Sequence, residues 1–252
     1  MKKTVKPILG AAVALAMTAS GAFADPIVIN SLPIEIDQPG DYHLQLPPDA
    51  PQVQGSWAII ISSSNVSLDL NGNSVDCWGG IMVVNWGTHL NNISIKNGTF
   101  NGIQDSVNGG PNAVAYSGIQ IFNADHVSVE NVNFNGKFAY NADWGTYDSI
   151  KNCGFESPLA IDNGGAGTGH GTYENLTVSE NLLQWGTTGG YPNSNDPTAH
   201  RALYSSGQYN SFKNVRILSG NVYLTGLKDA YDHFYDKAPS TVIGGTNLKP
   251  GK

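Results

Sequence analysis

The chain keeps returning to one cadence: an apolar residue, a polar residue, an Asn, and within one or two positions another apolar residue. It reads "SNVSLDLNGNSV" from Ser64, "LNNISIKNGTF" from Leu90 and "HVSVENVNF" from His126. It returns as "YDSIKNCGF" from Tyr147, "ENLTVSENLL" from Glu174 and "YNSFKNVRI" from Tyr209. With Leu68, Ile95, Val129, Ile150, Val178 and Phe212 as anchors, the steps are 27, 34, 21, 28 and 34 residues. A second apolar segment precedes most repeats: "WAIII" at Trp57, "GGIMV" at Gly79, "SGIQI" at Ser117, "GKFAY" at Gly136, "SPLAI" at Ser157 and "RALYS" at Arg201. Alternation at period two describes strands with one buried face. A unit this short cannot bury that face alone and must stack on its neighbours.

The first 24 residues stand apart. A basic MKK, the apolar stretch ILGAAVALAM and Ala22-Phe23-Ala24 form the three parts of a secretory leader, too short for a membrane span. The expectation is a signal peptide over 1–24, export to the periplasm or beyond, and a mature domain of 228 residues over 25–252. Lys2, Lys3 and Lys6 leave with the leader, so 10 basic residues face 20 acidic ones and the mature net charge is −10. A basic footprint for nucleic acid is missing, and no later stretch could cross a bilayer. Abundant Gly and Asn with few charges point to a turn-rich, helix-poor domain.

The "GI-x-I … NVSL … N" cadence, with the lead-in "QPGDYHL" at Gln38, resembles the right-handed parallel β-helix proteins of the pectate-lyase-like superfamily. The resemblance spans roughly Ile34 to Leu224 and implies an all-β, single-domain solenoid of about seven rungs. Residues 25–56 are expected to form a short N-terminal strand cap and 57–227 the rungs. Residues 228–252, containing "KDAYDHFYDK", are expected to form an irregular or short-helical C-terminal cap. The recurring Asn (Asn71, Asn97, Asn131, Asn152, Asn214) should sit at bends, where Asn tolerates left-handed backbone and stacked amides can bond. Cys77 and Cys153 then lie about three rungs, ~14 Å, apart, beyond disulfide reach, and are expected as buried free thiols.

In that superfamily the substrate groove lies along the sheet built from the "GI-x-I" strands. Loops at 101–117, 163–172 and 184–200 would wall it. The resemblance thus directs attention to Lys137, Glu156, His200, Arg201 and Tyr204 as catalytic candidates, and to Trp57, Tyr116, Gln120, Trp144 and Trp185 as substrate-binding ones. β-Elimination from a uronic acid would use Lys137 or His200 as base. Arg201 would offset charge, and Tyr204 would donate to the leaving oxygen. Each residue also has a plainer reading as surface charge or loop packing. Hydrolysis would need two carboxyls, and Glu156 with Asp162 is the available pair.

Asp125, Asp143 and Asp162 could stack along one edge and take Ca²⁺, the one cofactor the sequence suggests, or could merely cap strand ends. Gly169-His170-Gly171 is similar to a polygalacturonase motif. However, Asp162-Asn163 stands where that family has paired acids, and Leu218 where it has Lys, so the match reads as coincidence in a Gly-rich loop. Two functions follow from these features. The first is a monomeric, secreted, polysaccharide-active enzyme, a lyase on an acidic glycan before a hydrolase. The second is a non-catalytic β-helix that binds glycan or serves a cell-surface or structural role.

Overall fold

A computed structural model describes residues 25–103, 116–136, 138–143, 145–156, 159–163, 169–179, 201–205, 208–218, 221–224, 230–232, 235–236 and 241–243. Every regular element among them is a β-strand. In chain order these are β1 (Ile27–Ile29), β2 (Ile34–Ile36), β3 (Gly40–Leu44), β4 (Val53–Ile61), β5 (Val66–Asp69), β6 (Ser74–Val84), β7 (Leu90–Gly102), β8 (Tyr116–Phe122), β9 (Ala124–Asn135) and β10 (Phe138–Asp143). They continue as β11 (Ser149–Lys151), β12 (Gly154–Glu156), β13 (Leu159–Asn163), β14 (Thr172–Ser179), β15 (Arg201–Ser205), β16 (Ser211–Ile217), β17 (Asn221–Leu224), β18 (Ala230–Asp232), β19 (Tyr235–Asp236) and β20 (Thr241–Ile243). None of the described residues forms a helix long and apolar enough to cross a membrane.

All pairings between these strands are parallel, and they sort into three ladders that the chain visits in turn. The first runs β2–β4–β6–β8–β10–β13–β15–β17–β20. The second runs β1–β3–β5–β7–β9–β11–β14–β16–β18. The third joins β4 at Val53 to β6, then follows the later halves of β7 and β9, then β12, β14, β16 and β19. All the "GI-x-I" segments fall in the first ladder, as the alternation requires.

Two expectations change. The fifth anchor of the repeat is Tyr173, not Val178: Tyr173 pairs with Ile150 and Phe212, while Val178 belongs to the third ladder opposite Phe155 and Ile217. Both segments alternate with period two, so alternation alone could not choose between them. The C-terminal segment is not a helical or irregular cap throughout. Its described residues form β18, β19 and β20, which extend all three ladders.

The core lies between the ladders and is built in rows. Leu68, Ile95, Val129, Ile150, Tyr173 and Phe212 make one row, each at most 1% exposed. In another, Phe100, Phe134 and Phe155 stack with centroids 6.0 and 5.5 Å apart. Cys77 and Cys153 are buried and free, as expected. Burial raises both thiol pKa values, Cys153 to about 11, which keeps the sulfurs protonated and unreactive.

The bend between the second and third ladders is an Asn column. Asn71, Asn97, Asn131, Asn152, Asn175 and Asn214 all have φ between 52° and 61°. Their amides link successive rungs: Asn131 Nδ2 donates to Asn97 Oδ1 at 3.3 Å, Asn175 Nδ2 to Asn152 Oδ1 at 2.9 Å, and Asn214 Nδ2 to Asn175 Oδ1 at 2.9 Å. Left-handed backbone costs a Cβ-bearing residue about 1–2 kcal/mol, which Asn tolerates through local bonding.

Two outcomes follow. Asn175→Ala should lower stability by about 1 kcal/mol more than Asn175→Gly, because only Gly accepts this φ freely; denaturant midpoints of the two variants check it. Gly98→Ala should cost about 1–3 kcal/mol, since its Cβ would sit 2.6 Å from the buried Leu70 side chain; a thermal melt reads that loss.

Candidate functional site

Register aligns one row across the first ladder: Ile60, Met82, Gln120, Asn141, Asp162, Tyr204 and Tyr223. Met82 and Gln120 are half-buried between fully buried neighbours, so their side chains point out of the coil. Of the expected site residues, Gln120 and Tyr204 therefore share a row, with Asp162 one rung before Tyr204. Arg201 opens β15, opposite Asn221.

The other candidates scatter. Glu156 is exposed but ends β12 in the third ladder, paired with Asn135 and Ser179, so it does not share a ladder with Asp162. Trp57 and Tyr116 both register on Gly79, from the rungs on either side. A Cβ on Gly79 would lie 2.9 Å from the Trp57 ring, which also meets Trp78 edge-on at 6.3 Å. Trp57 thus packs on the coil instead of standing free for a ligand. Lys137, Trp144, Trp185 and His200 lie outside the described residues.

Register does not stack the three candidate calcium ligands in one row. Asp125 lies in the second ladder opposite Asn91, whereas Asp143 pairs with Phe122 and Asp162 with Asn141 in the first. Asp125 and Asp143 each end an Asn-Ala-Asp tripeptide, at 123–125 and 141–143, and the two look alike but sit differently. One crosses the corner into β9, and the other ends β10. Asp125 is also committed: Oδ1 accepts from Thr146 N and Oγ1, both at 2.7 Å, and Oδ2 meets His89 Nε2 at 2.8 Å. Among the described residues, no three His, Cys, Asp or Glu side chains are grouped to hold a metal.

The corner between the first and second ladders holds the most distinctive exposed side chains. Asn65, Asn92, His126, Tyr147, His170 and Tyr209 occupy left-handed positions there, with φ of 56–61°. The last four form a column: His126–Tyr147 at 5.1 Å, Tyr147–His170 at 4.9 Å and His170–Tyr209 at 4.9 Å, all within 19° of parallel. Tyr147 and Tyr209 are about half exposed. This column explains Gly169-His170-Gly171 by packing. A Cβ on Gly169 would lie 2.7 Å from Gln208 O, and one on Gly171 would lie 2.7 Å from the Tyr173 ring.

One rung before His126 the corner carries Trp86, 80% exposed, whose ring lies 6.0 Å from Phe122. Sequence reasoning passed over both: Trp86 follows the apolar run "IMVV" after one polar residue, Asn85, and an exposed ring there breaks no alternation. Beside them His89 Nδ1 meets Asn123 Oδ1 at 2.7 Å while its Nε2 meets Asp125. With acceptors at both nitrogens the ring favours its doubly protonated form, and the bonds to Asn123 and Asp125 raise its pKa. Burial would raise the Asp125 pKa, but its bonds to Thr146 and His89 outweigh that and lower it.

A further cleft of 590 Å³ opens at the N-terminal end between the 46–51 loop and the 72–76 turn. Asn73 there is bonded to the Leu44 and Leu70 carbonyls, and Asp76 to Asn101, so neither is poised for chemistry.

The His89–Asp125 pair sets a pH window. Stabilisation by His89 is complete below 6.5 and fades as pH rises through its elevated folded value. That of Asp125 is complete above 3.8 and fades as pH falls through its lowered folded value. The stability difference between wild type and His89→Gln should therefore be widest between 3.8 and 6.5 and shrink as pH rises through the raised His89 value, as read by urea denaturation across pH.

Comparison with protein-family models, with curated proteins and with solved structures finds no match to this chain.

Proposed function

We propose that the chain is an exported, right-handed parallel β-helix protein of the pectate-lyase-like kind that acts on an acidic polysaccharide laid across the first ladder. The fold part of this reading is supported by the all-parallel pairing and the fixed order in which the chain visits three ladders. Export rests on the leader-like 1–24. The observation that carries the function is the aligned row Gln120, Asn141, Asp162 and Tyr204, which sets amides, a carboxyl and a phenol on successive rungs of one ladder. Rungs about 4.8 Å apart let one extended glycan meet several members of such a row.

β-Elimination suits these residue types. Tyr204 donates its phenolic proton to the departing glycosidic oxygen, and Arg201, at the irregular start of the same strand where the register shifts before Leu203, offsets charge on the uronate. Lys137 and His200 supply the two candidate bases. Hydrolysis is less well served, because Glu156 and Asp162 lie on different ladders. A second reading, a non-catalytic glycan-binding protein, is favoured by the Trp86 corner. There an exposed ring adjoins a His and an Asp already bonded to each other.

The test is ultraviolet absorbance of unsaturated product from pectate, alginate, hyaluronate and chondroitin, each with and without Ca²⁺. The expected result is product from one substrate and a rate about 10²-fold or more lower for Tyr204→Phe. Silence across the panel, with no new reducing ends, overturns the enzymatic reading in favour of binding alone.

A further inference from the structure

The corner aromatics divide by what their faces can reach. His126, Tyr147, His170 and Tyr209 stack on one another, so their faces are largely turned to neighbouring rings. Trp86 has one ring contact among the described residues, Phe122, and remains 80% exposed, so most of its apolar surface is open. An exposed Trp on a long floppy loop would mean little. Here the turn is pinned on both sides of the ring: Asn85 Nδ2 donates to Ser62 O at 3.0 Å, and Asn85 Oδ1 accepts from Gly87 N at 3.0 Å. The platform is pre-organised, which lowers the ordering cost of binding.

Its surroundings specify an occupant. Phe122, beneath Trp86, is two residues along β8 from Gln120, about 7 Å. The corner therefore borders the row on which a glycan is proposed to lie, at the end of the same strand, where a glycan leaving the row sideways meets it. On the second-ladder side stand Asn123, His89 and Asp125, bonded to one another as a fixed polar border, whose amide and carboxylate oxygens have lone pairs beyond those bonds for sugar hydroxyls. An apolar face bordered by such groups matches a pyranose, with C–H bonds on its face and hydroxyls around its rim.

We propose that Trp86, backed by Phe122 and flanked by His89, Asn123 and Asp125, is a subsite that stacks one pyranose ring of a polysaccharide running on from the first ladder. This rests on the glycan reading above and adds to it a place and a contact. The subsite binds and positions the sugar; it supplies no reacting group.

The test is titration calorimetry of the purified protein with oligomers of galacturonate, mannuronate and hyaluronate, and with neutral cellohexaose and xylohexaose. Wild type is compared with Trp86→Ala, Trp86→Phe and Gln120→Ala. Trp86→Ala should weaken binding about tenfold and Trp86→Phe less, with unchanged circular dichroism and melting, because the ring is mostly exposed. Unchanged affinity in Trp86→Ala, with Gln120→Ala weakened, overturns the subsite and leaves the first-ladder reading standing. Weakening in Trp86→Ala alone supports the subsite and removes the first-ladder row. A wild-type protein that binds none of the oligomers overturns both.

Discussion

The left-handed bend that closes the second-ladder segments of β5, β7, β9, β11, β14 and β16 is the constraint on which the other features rest. A parallel ladder pairs each strand with the rungs before and after it, so every rung must turn at the same place for the next to register. The turn needs one residue in left-handed backbone, and the chain supplies Asn from Asn71 to Asn214. Once these bends align, the apolar residues two before them, three in the case of Asn71, align as well. The inward row from Leu68 to Phe212 and the Phe100–Phe134–Phe155 stack then follow from geometry. Amide bonds between successive Asn side chains add modestly, since most are exposed and compete with water.

The outer face of the second ladder shows a second device acting on register. Asp69, Lys96, Glu130, Lys151, Glu174 and Lys213 occupy one row, alternating in sign at every rung. Lys96 lies 3.4 Å from Asp69, and Lys213 lies 3.1 Å from Glu174. Opposite charges directly across parallel strands contribute about 0.2–1 kcal/mol each, and like charges oppose pairing. Beside them runs a row of hydroxyls, Ser67, Ser94, Ser128, Ser149, Thr172 and Ser211. A strand slipped by two residues would set a charge against a hydroxyl. The polar face thus repeats, in weaker terms, the instruction given by the core.

How much was legible follows from this. Period-two alternation and the recurring Asn reveal the strands and their stacking, because both report which face is buried. They do not reveal which ladder a strand joins when two neighbouring strands alternate alike. Val178 was mistaken for Tyr173 on that ground, and Asn175 went uncounted although it is a full member of the column. Local sequence also cannot place a tripeptide relative to a corner, so the matching Asn-Ala-Asp segments suggested an acidic stack that register does not form. Gly169-His170-Gly171 resembled a catalytic motif, yet each glycine is required by a neighbouring rung. The candidate row containing Gln120, Asp162 and Tyr204 was partly visible because it depends on the same parity as the core. Trp86 was not, because an exposed ring breaks no pattern in the sequence.

The two corners also show how one backbone requirement can leave different surfaces. Between the second and third ladders, among the described residues, the left-handed position is held by Asn on six rungs, joined by Gly72 beside Asn71, and short Asn side chains bond from rung to rung. Between the first and second ladders the same backbone angle is held by Asn65 and Asn92, then by His126, Tyr147, His170 and Tyr209. Rings bulky enough to disfavour this conformation stay there because each is stacked on another, at a spacing close to that of the rungs. The stack absorbs its own apolar faces, so a row of aromatics need not be a binding surface. Trp86 lies outside that column, on a turn fixed by Asn85, and keeps its face. At this corner, freedom from the stacking register is what separates an aromatic available to a ligand from one that only holds the coil.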